Sequence, residues 1–229
     1  MLRSVRARQS DLLNAIRVFQ DQTGEGRHRR ISPALPIREN TPRYHLHVVL
    51  WKPMKKEKGL LIVYTGDGKG KTSSSLGVAL RTIGYGGRVY LLYFMKEIKM
   101  SEVRALQKLG EQIDIEQAGA GFFKIRGEHS SEEEHRKMAA LGLKKAETAI
   151  TSDAYDLVIL DESLNAVDVG LISNKQLLDL VSKRKKSHVI VTGRNARASL
   201  IAKADLVSEM RKVKHPFDKG IYAKKGIDF

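Results

Sequence analysis

Between an apolar, β-branched run at residues 60–64 and a helical pattern over 72–83 stands Thr65-Gly66-Asp67-Gly68-Lys69-Gly70-Lys71-Thr72. A strand that passes through a glycine-rich turn into a helix leaves few architectures open. Glycines allow successive backbone N–H groups to face an anion, and the helix start adds partial positive charge. Lys71 supplies a full charge, and Thr72 offers a hydroxyl to a magnesium ion. The segment reads as a phosphate-binding loop of the Walker A type. Thr65 stands where the pattern G-x-x-x-x-G-K-[ST] begins with glycine.

The rest of the chain keeps the same rhythm. Strands are expected at 88–94 and 113–117, and strand cores at 157–160, 189–191 and 206–207. Helices are expected at 101–109 and 131–150, with shorter helical segments holding 177–181 and 196–201. Ser131 and Glu134 make a capping box for the long helix. Gly84 stops the helix that begins at 72. Alternating helices and continuously apolar strands give an α/β fold, a mostly parallel sheet covered on both faces. Ligands of such sheets bind at the carboxyl ends of the strands.

Two further strand ends carry chemistry. Leu157-Val158-Ile159-Leu160 runs into Asp161-Glu162, a Walker B pattern that places carboxylates where they can hold Mg²⁺ directly or through water. Val189-Ile190-Val191 ends in Thr192-Gly193-Arg194, and Arg194 is a candidate polyphosphate ligand. The tail from Lys212 to Phe229 is turn-rich and basic. His129 and His135 read as exposed residues rather than metal ligands.

Charge and composition limit the partners. Lys plus Arg number 41 against 26 for Asp plus Glu, a net charge of +15, so anionic ligands are expected. The chain has no cysteine, which excludes a disulfide framework, thiolate metal sites and a cysteine nucleophile. No apolar run approaches the ~18–20 residues of a membrane span, and no signal-peptide pattern opens the chain. A cytoplasmic protein is expected. There is no HExxH, no G-x-S-x-G and no basic ribbon interleaved with aromatics for stacking bases.

Residues 1–53 differ from the rest. They hold nine Arg and one Lys, against nine Arg and 22 Lys in 54–229, and four of the five prolines. Leu12, Leu13, Ile16 and Phe19 fit a short helix over 10–22, residues 23–43 read as loop, and 45–51 as a short strand. The arm fits a transit peptide, a regulatory or capping segment, or a translation start placed too early, because Met54 precedes the first strand. The expected division is an N-terminal arm, 1–53, and one domain, 54–229.

From about residue 59 to the end the chain resembles the bacterial P-loop corrinoid adenosyltransferases. The resemblance rests on the phosphate loop with Thr65 in the departing position, Asp161-Glu162, Thr192-Gly193-Arg194, and the tail. In the tail the matching pieces are Ser208-Glu209-Met210-Arg211-Lys212-Val213-Lys214-His215-Pro216-Phe217-Asp218, Gly220-Ile221 and Gly226-Ile227-Asp228-Phe229. It implies a RecA-like fold, often dimeric. It also implies transfer of the 5′-deoxyadenosyl group of ATP to the Co(I) of a corrinoid, with inorganic triphosphate released. Carried over by position, Gly66, Asp67, Gly68, Lys69, Gly70, Lys71 and Thr72, with Thr65 before them, bind the triphosphate. Thr72 and Glu162, with Asp161 nearby, hold Mg²⁺ or Mn²⁺. Arg194 holds phosphate oxygens, and Arg81 supports them. Lys71, Glu162 and Arg194 form the catalytic set. Ala120-Gly121-Phe122 matches the segment that walls the lower corrin face, and Phe122 is the corrinoid-binding residue. Where some members carry Trp, this chain has Lys124. Residues 1–53 do not resemble the helix that caps the site in well-known members. The implied partners are a corrinoid, an electron-donating flavoprotein and a second copy of the chain, without nucleic acid or membrane. The rival readings are a nucleic-acid-binding P-loop ATPase and a non-catalytic nucleotide- or corrinoid-binding regulator.

Overall fold

A computed structural model describes residues 58–95, 101–118 and 131–228. The readings at 10–22 and 45–51, Phe122, Lys124 and His129 lie outside these residues. Among them six strands form one sheet: β1 (Leu61–Thr65), β2 (Val89–Tyr93), β3 (Ile113–Gln117), β4 (Leu157–Asp161), β5 (His188–Thr192) and β6 (Leu206–Glu209). Their order is β3-β2-β4-β5-β1-β6, and every pairing is parallel. This is a P-loop NTPase-like α/β sheet, as the alternation predicts. β5 separates β1, which feeds the glycine loop, from β4, which ends in Asp161.

The helices are α1 (Lys71–Gly84), α2 (Ser101–Leu106), α3 (Glu132–Thr151), α4 (Ser163–Asp168), α5 (Asn174–Ser182) and α6 (Ala198–Ile201). Strand side chains alternate between faces, and two cores result. Ile62, Leu91, Ile159 and Ile190 meet Ala79 and Ile83 of α1 and Val103 and Leu106 of α2. Leu61, Val63, Leu92 and Leu160 meet α3, α4, α5 and α6 on the other face. The strands of the sheet centre are buried on both sides, which is why their sequences run apolar without a break.

Local signals place most of the ends. Ser131 accepts from the Glu134 N–H, and Glu134 reaches back to the Ser131 N–H at 2.8 Å, completing the capping box. The helix expected at 101–109 is shorter: α2 stops at Leu106, and a 3₁₀ turn covers Gln107–Gln112 with Gly110 at φ 67°. The strand cores at 206–207 extend to Glu209, where β6 forms the exposed edge beside β1. His135 corrects the expectation of an exposed side chain, being only 1% exposed. It begins the stripe His135, Ala139, Gly142, Ala146 and Ala149, which recurs at three- and four-residue spacing along the inner side of α3.

The start of β1 is held by Asp205. Its carboxylate accepts from the Leu61 N–H at 2.6 Å and from Arg184 at 3.0 Å. The Leu61 N–H, and then the Arg184 charge, draw the Asp205 carboxyl below its ordinary 3.8, against an opposing effect of desolvation. A depressed carboxylate stabilises the fold above its unfolded value and loses that contribution as pH falls through the folded value. Asp205→Asn is therefore expected to cost about 1 kcal/mol at neutral pH and to flatten the fall in stability below about pH 4. Urea melts at pH 7 and pH 3 measure both effects. An equal loss at both pH values would show that the carboxylate charge plays no part.

Candidate nucleotide site

The carboxyl ends of four adjacent strands, β4-β5-β1-β6, converge on one cavity of about 810 Å³. After β1 comes the glycine loop. Gly66 and Gly70 have φ of 106° and 112°, a region L side chains rarely enter. The Lys71 ammonium donates to the carbonyls of Gly66 at 2.7 Å and Gly68 at 2.6 Å, so the lysine is bound within the loop that its helix follows. Burial lowers the Lys71 pKa, and the nearby Arg194 charge lowers it further.

Thr65 explains the departure from the glycine pattern. Its side chain is buried, and its hydroxyl accepts from the Ala196 N–H at 3.1 Å. Its carbonyl accepts from the Met210 N–H at 2.8 Å. The residue thus ties the loop after β1 to those after β5 and β6, a link glycine's missing side chain would halve.

The two acids after β4 are placed differently. Asp161 is fully buried. The Thr72 hydroxyl lies 3.1 Å from both of its oxygens, and the Thr192 hydroxyl donates to it at 2.7 Å. The Glu162 N–H donates in turn to the Thr192 hydroxyl at 2.9 Å. Glu162 has φ 58°, a left-handed conformation that costs of order 1–3 kcal/mol for a non-glycine residue. That turn puts Glu162 on the cavity wall while Asp161 stays beneath it. Thr192 bridges β4 to β5; the sequence marks it within Thr192-Gly193-Arg194 but gives it no role, and its contact with Asp161 supplies one. Buried Tyr93 lies behind this cluster, its phenol pushed far up by burial and by the charges of Asp161, Glu102 and Glu162.

After β5, Arg194 lines the cavity, and its N–H donates to the Asn165 side chain at 2.8 Å. Asp168 fixes the rest of that loop through Asn195 and, at 3.2 Å, Arg197. After β6 the tail closes on the glycine loop. The Gly68 N–H donates to the Met210 carbonyl at 2.7 Å. The Lys212 N–H donates to Asp67 at 3.0 Å, which holds the Asp67 carboxyl below its ordinary value. Lys69 pairs with Asp228. Tail residues Lys212, His215, Phe217, Asp218 and Ile227 also line the cavity. Nothing in the composition of the tail announces this role; the family resemblance alone points to the segment.

Of the expected site residues, Asp67 to Thr72, Glu162 and Arg194 share the cavity wall. Thr65, Gly66 and Asp161 form its supports. Arg81 is not brought there: it lies exposed in the last turn of α1, ten residues from Lys71 and so about 15 Å along the helix. Phe122 falls outside the described residues.

The donor set suits a hard cation. The Thr72 hydroxyl at the start of α1 and the two carboxylates at the end of β4 match Mg²⁺, which keeps most of its shell for water and phosphate oxygens. Among the described residues no cluster of three or more acidic, His or Cys side chains makes a self-sufficient metal cage. No described helix is long and apolar enough to cross a membrane.

Residues 57–229 match the family model of the ATP:corrinoid adenosyltransferase BtuR/CobO/CobP. The corrinoid adenosyltransferase of Pseudomonas aeruginosa is 33% identical, over 76% of this chain and 86% of its own length. That of Sinorhizobium sp is 34% identical over 76% and 81%, and that of Escherichia coli strain K12 is 30% identical over 76% and 87%. The match spans the glycine loop, the acid pair, the Arg194 turn and the tail that closes on them, and the chain belongs to the ATP:corrinoid adenosyltransferase BtuR/CobO/CobP family.

Proposed function

We propose that this chain transfers the 5′-deoxyadenosyl group of ATP to the Co(I) centre of a corrinoid and releases inorganic triphosphate. The observation that supports it is the joining of a phosphate loop to a family-specific tail in one cavity. Co(I) donates its electron pair to the ribose 5′-carbon. The bond from that carbon to oxygen breaks, its electrons leave with the triphosphate, and cobalt ends as alkylated Co(III). No general base is required. The protein orients an in-line attack and stabilises a multiply charged leaving group.

The residues divide this work. Backbone N–H groups of the glycine loop, apart from that of Gly68, which Met210 holds, and the start of α1 face the phosphates, with Lys71 and Arg194 spreading their charge. Thr72, Glu162 and buried Asp161 are the residues that would hold Mg²⁺, or Mn²⁺, which neutralises phosphate oxygens when bound. Asp161 also keeps Thr72 and Thr192 in register. Phe122 is proposed to wall the lower corrin face. The net charge of +15 suits both the nucleotide and an acidic, electron-donating flavoprotein. A homodimer in the cytoplasm, with 54–229 as the catalytic domain, completes the reading.

The test is a single turnover with ATP, Mg²⁺ and chemically reduced corrinoid, followed optically for loss of Co(I) and then by product analysis. One triphosphate per cobalt–carbon bond, with almost no ADP, is expected. Stoichiometric ADP, or hydrolysis stimulated by nucleic acid and indifferent to corrinoid, would replace this reading with an ATPase.

A further inference from the structure

The glycine loop carries two lysines in different settings. Lys71 is bound by the loop's own carbonyls. Lys69 is paired with Asp228, which comes from the far end of the tail. Asp228 is itself fixed: its other carboxylate oxygen accepts from the Lys224 N–H at 2.6 Å, and its own N–H donates to the Lys224 carbonyl at 2.8 Å. Its side chain is 18% exposed, against 48% for Lys69, and both residues line the cavity. A fixed carboxylate on the wall of a polyanion site opposes anion binding.

We propose that Asp228 limits how tightly the site holds inorganic triphosphate, by engaging Lys69 so that one ammonium is withheld from the phosphate oxygens. The proposal takes the identity of the leaving group from the transferase reading. A triphosphate that departs in one piece keeps every charge with which the substrate was bound. A second free lysine in the loop would strengthen substrate and product binding alike. Such uniform binding adds nothing to the chemical step and slows release, a step that often limits turnover. The ion pair leaves Lys71 and Arg194 to the phosphates and keeps Lys69 on the tail.

The experiment is calorimetric titration of the full chain with sodium tripolyphosphate in Mg²⁺ buffer, without corrinoid. Asp228→Asn is expected to bind about fivefold tighter, the size of one partly exposed charge interaction. Adding Lys69→Gln to Asp228→Asn should remove that gain. Asp228→Ser keeps an oxygen for the Lys224 N–H and should reproduce the effect, so it serves if thermal melting shows the asparagine variant unfolded. Unchanged or weaker binding by the folded variants overturns the proposal, since Asp228 would then be idle or would aim Lys69 at the phosphates. A double variant as tight as Asp228→Asn also overturns it, leaving plain repulsion as the cause. Failure of the transferase reading is separately visible, as absence of cobalt–carbon bond formation by the unaltered protein.

Discussion

Lys71→Ala is expected to lower turnover by ~10²–10³, the cost of removing one charged donor aimed at developing negative charge. The same ammonium bridges the Gly66 and Gly68 carbonyls, so the loss has two parts. One is charge opposite the triphosphate, and the other is order in the loop. Lys71→Met retains the aliphatic stem and separates packing from charge. Both variants should melt close to the unaltered protein, because the loop is bound by other contacts from Thr65 and Met210. Single-turnover rates with preformed Co(I) measure the chemical step directly. A rate within threefold of normal would remove Lys71 from the mechanism.

The largest loss of stability is expected from Gly66→Ala. The added methyl would lie 2.4 Å from the Met210 carbonyl oxygen and 2.9 Å from the Met210 nitrogen, both of them backbone. No side chain can swing aside to relieve the contact. The φ of 106° adds strain of order 1–3 kcal/mol. Together the loss should reach about 3 kcal/mol or more, lowering Tm by roughly 6–12 °C for a chain of this size. Activity should fall with it, because the only relief is to move the tail off the loop. Gly77, within α1, provides the contrast. An added methyl there meets nothing within 4 Å, so Gly77→Ala should stabilise by about 0.5–1 kcal/mol. Thermal melts of the two variants side by side decide the matter. A Gly66→Ala protein that melts normally would show that the tail does not press on the loop.

Features set within a short stretch of chain were legible in the sequence, and features set by contacts between distant segments were not. β1, the glycine loop and α1 were legible because apolar run, glycine spacing and helical period all act within the one stretch 61–84. The capping box at Ser131 was legible for the same reason. Strand order was not, since parallel neighbours are joined by long crossovers and nothing local says that β5 lies between β1 and β4. His135 was misjudged because a histidine at the start of an acidic helix turn looks solvated; its place in the inner stripe depends on how α3 docks. Arg81 shares a helix with Lys71, yet helix rise carries it away from the cavity. The link from Thr192 to Asp161, and the contacts of Met210, Lys212 and Asp228, all join segments that meet only in the folded chain.

That closure by the tail bears on the order in which the protein is made. Synthesis runs from the N-terminus, and domains begin to fold as they emerge. β6 and the residues after it are the last parts of the site to be translated, and they hold Gly68, Asp67 and Lys69 in place. A nascent chain that already has its glycine loop therefore lacks the wall behind it. A ligand stabilises a protein only in the form that binds it, so ATP offers little help before the tail has docked and its full support afterwards. Nucleotide protection against proteolysis should consequently appear late, after the tail has docked, and mark the assembled site rather than guide its assembly.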